Sequence, residues 1–408
     1  MRQARRAKIQ VLPVEPAMVA WGHITAQCID MQSVKRWIQP SPEVGAGCES
    51  IGLWLTNACN LNCTYCYIKH KSEATMTLET AQRIITTVLN SPGGRVLICF
   101  MGAEPLTRFE RMREIVEWTK SVKWQRAFAF MAATNGTLLK EEMKPWLDEN
   151  RSLLSLGLSL DGDTISQRQN RGKTVQELDF FLQTWPKQPM KMTISEASVQ
   201  RLCSDIVYLH SVGAAFTANA AYEEKAWDDV SIRCYQEQLL ALADYYIENP
   251  SVPPCNLFSP VPERMLCSSE EEQPCYCSAG SSFEFYDMDG VSYPCHMLSP
   301  MVLEETHSRE VCKKKIDQDG DFRDPACGKC PLRRSCYTCL GSNELYRGDF
   351  RRRDPLHCQL YQAQVKAQMH LWIGRYRTKT VFTKKEKERL EAMTQIWRYF
   401  DNGQIVMQ

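Results

Sequence analysis

The chain has 408 residues, with 49 Lys and Arg against 48 Asp and Glu, so its net charge is +1. That balance excludes a global attraction to nucleic acid or to an acidic membrane surface. No apolar run reaches the roughly 18–20 residues that span a bilayer, and the N-terminus MRQARRAKIQ lacks the apolar core of a signal peptide. A cytoplasmic protein without nucleic-acid or membrane partners is expected, in which 19 Cys point to metal ligation rather than to disulfides.

In chain order, residues 1–50 are poorly periodic, broken by Pro13, Pro16, Pro40 and Pro42, and read as an N-terminal extension. From Ile51 short apolar runs alternate with stretches of helical period. The runs are IGLWLT (51–56), RVLICFM (95–101), AFAFMAA (127–133), LLSLGLS (153–159), KMTI (191–194) and AAFTANA (214–220). The helical stretches include LETAQRIITTVL, with Thr77 as its N-cap, then FERMREIVEWTKSV, KEEMKPWLDE, TVQELDFFLQTW and SEASVQRLCSDIVYLHSVG. Six strand–helix units in series predict an α/β fold, a parallel sheet closed or partly closed as a barrel over 51–250. A seventh helical stretch, DVSIRCYQEQLLALADYYIEN, leaves the pattern. After Pro253 and Pro254 the sequence becomes Cys-rich and turn-rich, and 255–360 reads as a second domain with too few apolar positions to stand without metal. Residues 361–408 read as a helical tail whose basic run TKKEKERLEAM makes a solvated face.

The chemistry concentrates in loops that follow strands, where parallel barrels bind ligands. LTNACNLNCTYCYIKH places Cys59, Cys63 and Cys66 just after the first strand. Three soft sulfur ligands suit zinc, copper(I) or iron–sulfur, and a closed structural zinc site needs a fourth. Gly102, Ala103 and Glu104 follow the second strand, Asn135 the third, and Ser159-Leu160-Asp161-Gly162 ends the fourth. With Tyr65 just before the third Cys, the triplet resembles the signature of the radical S-adenosylmethionine (radical SAM) enzymes, and Gly102-Ala103-Glu104-Pro105 resembles their GGEP motif with Ala103 in place of the second Gly. The resemblance implies a partial (β/α)6 TIM-like barrel. It also implies a [4Fe–4S] cluster on Cys59, Cys63 and Cys66 whose open iron binds S-adenosyl-L-methionine (SAM). Gly102, Ala103 and Glu104 would meet the amino group of SAM. Asn135, Ser159 and Arg171 would meet its ribose and carboxylate, Arg171 as a fork suited to a carboxylate. Reductive cleavage would then yield a 5′-deoxyadenosyl radical.

Downstream lie Cys267, Cys275, Cys277 and Cys295, then Cys327, Cys330, Cys336 and Cys339, and finally Cys358. Paired CxxC spacing by itself reads as a zinc ribbon. The longer order, with Gly290 five residues before Cys295, resembles the SPASM domain of peptide- and protein-modifying radical SAM enzymes, although the two-residue gap before Cys339 is one shorter than usual. That resemblance implies two auxiliary [4Fe–4S] clusters. Cys327, Cys330, Cys336 and Cys358 would hold one, and Cys277, Cys295 and Cys339 the other, with Cys275 or Cys267 as its fourth ligand. Cys28, Cys48, Cys99, Cys203, Cys234 and Cys312 are scattered and read as ordinary thiols.

Relatives of this kind include anaerobic sulfatase-maturating enzymes, which form formylglycine, and maturases of ribosomal peptides. Where the sulfatase maturases carry an Asp base after the auxiliary Cys, this chain has His296, an imidazole that could take a proton. The expectation is therefore a maturase of a precursor peptide that oxidatively forms a thioether, ether or carbon–carbon crosslink, supplied with electrons by a donor such as flavodoxin or ferredoxin. The alternatives are a formylglycine-forming enzyme and a non-enzymatic iron–sulfur or zinc scaffold.

Overall fold

The computed structural model of the chain describes residues 50–68, 71–222, 227–259, 278–280, 282–313, 324–328, 330–333, 335–336 and 338–401. The expected N-terminal extension and Cys28, Cys48, Cys267, Cys275 and Cys277 lie outside the described residues. Six strands alternate with helices: β1 (Ser50–Thr56), α1 (Leu78–Leu89), β2 (Val96–Gly102), α2 (Phe109–Ser121), β3 (Phe128–Thr134), α3 (Lys144–Glu149), β4 (Leu154–Leu158), α4 (Thr164–Arg171), α5 (Leu178–Thr184), β5 (Met190–Ile194), α6 (Leu202–Ser211) and β6 (Phe216–Ala220). Strands β1 to β4 form neighbouring parallel pairs, and β5 pairs with β6 in the same sense. The two groups meet at a seam where Ser159 bridges Lys191 and Leu160 N–H donates to Lys191 O at 3.0 Å. The result is the expected partial (β/α)6 barrel.

The continuous apolar runs arise because each strand is covered on both faces. On β1, Ile51, Leu53 and Leu55 join the core beneath the helices, while Trp54 turns inward to pack with Phe285. Helix α1 begins where Thr77 accepts from Thr80 N–H and buries Ala81, Ile84, Ile85, Val88 and Leu89 along one side. Each fully buried Leu or Ile contributes about 1.5–3 kcal/mol. Truncating Leu53 to Ala therefore costs about 2–5 kcal/mol once the cavity is included.

Two features extend the fold beyond the repeat. After α7 (Asp229–Glu248), strand β7 (Phe283–Tyr286) returns from the Cys-rich segment and adds to the free edge of β1 in parallel, pairing Ser50 with Phe283 and Leu53 with Tyr286. Strand β8 (Ser292–Tyr293) then pairs with β7 antiparallel. Beyond α8 (Glu305–Lys313) and α9 (Leu340–Arg347), helix α10 (Pro355–Tyr376) lies along α7. Its Leu360, Ala363, Ala367 and Leu371 enter the barrel core, and Gln364 Nε2 donates to Tyr235 Oη at 2.8 Å. The tail thus belongs to the core up to Tyr376. Only α11 (Lys384–Asp401) carries the basic run, and it still buries Ala392, Met393 and Ile396. Met393 and Ile396 pack with Tyr361, Val365 and Met369 around Leu332, directly behind Cys330 and Cys336. No helix among the described residues is long and apolar enough to cross a membrane.

Candidate active site

The Cys loop leaves β1 and is tied down along its length. Asn57 N–H donates to Ala74 O at 3.1 Å, Thr64 N–H to Asn170 O at 2.9 Å, and Cys66 N–H to Cys63 O at 3.1 Å. Asn60 links the loop to the end of β3, donating to Thr137 Oγ1 at 2.8 Å and accepting from Asn135 Nδ2 at 3.1 Å. Cys59, Cys63 and Cys66 are half-buried free thiols. Burial pushes the Cys59 and Cys63 thiols up, and the other thiols of the triplet add to that shift. Thiolates that repel one another in a half-buried loop are stabilised by a cationic centre. Among the described residues no three Cys, His, Asp or Glu side chains close around a single ion. Three thiols carried by one loop are, as a donor set, suited to a sulfur-bound group such as an iron–sulfur cluster.

Gly102 has φ +135°, and a Cβ there would stand 2.4 Å from Thr56 O, so only Gly allows β2 to end so close to β1. Ala103 carries no such demand, since among the described residues only Gly has positive φ. Glu104 is 1% exposed, and its carboxylate accepts from Thr134 Oγ1 at 2.7 Å, Asn135 N–H at 2.7 Å and Leu106 N–H at 3.0 Å. Burial pushes its pKa up, and those donors oppose the shift. The side chain thus holds the β3 loop and aims Asn135, rather than projecting into the open rim.

Asp161 is the hub of the site. It is fully buried and accepts from Tyr65 Oη at 2.5 Å, Asn170 Nδ2 at 3.1 Å, Thr193 N–H at 2.9 Å, and Arg171 through Nε at 2.8 Å and Nη2 at 2.9 Å. The Arg171 guanidinium also lies 5.4 Å over the Tyr65 ring. The Arg171 fork grips Asp161 through Nε and Nη2, leaving Nη1 outside the pair. The reason is reach: α4 is capped by Asp163 and carries Arg171 in its last turn, back over the strand end that holds Asp161. Tyr65 and Arg171 are therefore brought together, while Ser159 sits beside exposed Lys191 across the seam.

Against the start of α4 stands Asp205 of α6, fully buried, accepting from Ser166 Oγ at 2.5 Å and Asp163 N–H at 3.2 Å. Burial raises its pKa to about 6. Because the folded state holds the proton more tightly than the unfolded state, stability contributed below the ordinary carboxylate pKa is lost as pH rises through about 6. Wild type should therefore lose about 3 kcal/mol relative to Asp205→Asn between about pH 4 and pH 6. Urea unfolding across that range checks this, and parallel pH profiles for the two proteins would contradict it.

Two further thiol groups stand apart. Cys295 Sγ lies 3.6 Å from His296 Nδ1. The Cys339 thiol caps α9, accepting from Ser342 N–H at 3.4 Å. A Cβ at Gly341 would fall 2.2 Å from Met297 Cβ, so Gly341 permits the close approach of α9 to the turn after Cys295. Tyr67, the residue after Cys66, packs its ring 5.5 Å from His296. Burial pushes the Tyr67 hydroxyl up, and Cys66, Cys295 and Cys339 push it further. His296 also meets Phe285 at 6.1 Å. Burial, then nearby Lys191, lower its pKa to about 4, so the ring is neutral near pH 7 and a weak base.

The second group comprises Cys327, Cys330, Cys336 and Cys358, of which Cys327, Cys336 and Cys358 lie about the Arg353 guanidinium. Arg353 Nη1 lies 3.0 Å from Cys336 Sγ. Burial pushes Cys336 up to about 12 and Cys358 to about 11, and Arg353 opposes both shifts. Tyr67, Asp161, Lys191 and Arg353 carry no sequence motif of their own; the only early signals were the adjacency of Tyr67 to Cys66 and the place of Asp161 in the SLDG turn.

Residues 55–182 match the model of the radical SAM superfamily. Over those residues the chain is similar to a radical SAM domain, a domain that implies a [4Fe–4S] cluster and SAM. It is 32% identical over 135 residues to a cysteine-type anaerobic sulfatase-maturating enzyme of Clostridium perfringens, covering 31% of this chain and 36% of that one. It is 20% identical over 364 residues to the radical SAM cyclopropyl synthase TigE of Paramaledivibacter caminithermalis, covering 79% and 74%. The chain spans well under half the length of the curated relatives that it matches at about one-third identity. Its fold is similar to native anSMEcpe with bound AdoMet and Cp18Cys peptide (21% identity, 81% and 99% covered, TM-score 0.60). It is also similar to Streptococcus suis SuiB bound to precursor peptide SuiA (15% identity, 79% and 78% covered, TM-score 0.54).

Proposed function

We propose that the chain is a radical SAM maturase that acts on an unactivated C–H bond of a ribosomal precursor peptide and leaves an oxidative crosslink, a thioether, ether or carbon–carbon bond. The observation that carries this reading is the contact of Tyr67, beside Cys66, with His296, beside Cys295, which sets two sulfur-rich segments against each other. An oxidative crosslink leaves an electron to be taken up, and neighbouring redox groups suit that need. Peptides bound to SuiB and to anSMEcpe support a peptide substrate for a fold of this kind.

Cys59, Cys63 and Cys66 would hold the cluster that binds SAM. Cys277, Cys295 and Cys339, with Cys275 or Cys267, would hold one auxiliary cluster, and Cys327, Cys330, Cys336 and Cys358 the other. When bound, the cluster and SAM supply reductive cleavage of the sulfonium and the 5′-deoxyadenosyl radical that takes a hydrogen atom from substrate. The residues of the chain orient the partners. Asn135, held by Glu104 and Asn60, and Ser159, beside Lys191, present polar groups on one rim for the ribose and carboxylate of SAM. Arg171 and Asp161 fix Tyr65 and so the loop between Cys63 and Cys66. In this reading 51–250 is the catalytic barrel, 255–360 the SPASM segment and 361–408 a helical basic tail, with flavodoxin or ferredoxin as electron donor. Neutral His296 packs beside Cys295 and is poorly suited to act as the base of a formylglycine-forming enzyme, which is the second reading, favoured by the similarity to anSMEcpe.

The test is mass spectrometry of peptides incubated with reconstituted enzyme, SAM and dithionite. The substrates are short peptides encoded beside the gene and a cysteine peptide from a sulfatase. Loss of hydrogens with fragmentation blocked across two residues supports the crosslink. Conversion of the cysteine to an aldehyde supports the second reading, and an unchanged mass in both peptides contradicts both.

A further inference from the structure

Arg351, Arg352 and Arg353 form a basic run of the kind usually left in solvent, and Arg351 and Arg352 are exposed. Arg353 turns inward. Its backbone N–H donates to Asp324 Oδ2 at 3.0 Å, and Asp324 also caps the turn that carries Cys327 by accepting from Ala326 N–H at 2.8 Å. The guanidinium then reaches Cys336 Sγ with Nη1 at 3.0 Å, Cys336 O with Nη2 at 3.2 Å, and Cys327 Sγ with Nη1 at 3.8 Å. The neighbouring acid, Asp354, does not claim it, being paired with Arg347 at 3.2 Å. A planar cation is thus placed by both ends of its residue against ligand sulfurs, in a geometry that donates to thiolate.

We propose that Arg353 is a positioning residue for the auxiliary cluster of Cys327, Cys330, Cys336 and Cys358, donating to Cys336 Sγ and holding that cluster at a higher reduction potential than the four thiolates would set alone. The proposal rests on the reading that these four thiols hold a cluster. Its physical basis is that reduction adds negative charge to a thiolate-bound cluster. A fixed cation and N–H donor at a ligand sulfur stabilise the reduced form more than the oxidised one. Lys at this position keeps the charge and loses the fork.

The experiment is an EPR-monitored redox titration of the full chain, reconstituted anaerobically, with SAM added to displace and so mark the signal of the Cys59, Cys63 and Cys66 cluster. Arg353→Gln is expected to retain its iron and to move one SAM-insensitive component to lower potential. Arg353→Lys is expected to move the same component in the same direction by less, and it decides the question if Arg353→Gln does not fold. Unchanged midpoints at full iron loading, or a move to higher potential, overturn the role of Arg353 alone. Wild-type iron content in Cys336→Ala would overturn the underlying ligand assignment and the proposal with it.

Discussion

Replacing Asp161 with Asn is expected to destabilise the chain by about 3–5 kcal/mol, because it leaves a buried guanidinium without its counter-charge. Asp161 is fully buried and Arg171 is 8% exposed, so water cannot replace what is lost. Asn preserves the shape and accepts some of the same donors, but it cannot receive the two parallel N–H bonds from Arg171 as an anion. Tyr65→Phe removes only one hydroxyl donor and should cost about 1 kcal/mol. Since both residues belong to one network, the double variant should lose less than the sum of the single losses. Urea unfolding of the apo chain measures all three. An Asp161→Asn midpoint equal to that of wild type would contradict the role assigned to the pair.

The second large effect concerns chemistry rather than stability. Changing Cys59, Cys63 and Cys66 to Ala removes three half-buried thiols from a loop whose anchors are backbone bonds and Asn60, so the fold should persist. The variant is expected to lose one cluster's share of iron and all cleavage of SAM, while the iron of the Cys-rich segment stays. Iron analysis and EPR of the reconstituted variant check this. Loss of all iron would mean that the triplet organises every site, and unchanged iron would mean that it binds none.

Much of this was legible in the sequence. The strand runs fell where the strands are, because burial on both faces leaves a continuous apolar signature. Thr77 announced its helix by cap chemistry alone. The triplet and the motifs after β2, β3 and β4 lie on one rim because parallel strands all end there. What escaped was long-range pairing. Strand β7 is four residues long inside a turn-rich stretch, too short to carry a period, yet it extends the sheet at β1. The affinity of Arg171 for a carboxylate was readable, but its pairing with Asp161, ten residues before it, follows from the fold. Arg353 was hidden in a run that reads as surface. The contact of Tyr67 with His296 joins residues on separate segments and follows from the fold alone.

Cys59, Cys63 and Cys66 are proposed to hold a cluster that cleaves SAM. The direct measurement is 5′-deoxyadenosine formed by the anaerobically reconstituted chain with dithionite and SAM. It is expected to form in wild type and to be absent in the triplet variant. A wild-type chain that yields no 5′-deoxyadenosine and binds zinc in place of iron would contradict it.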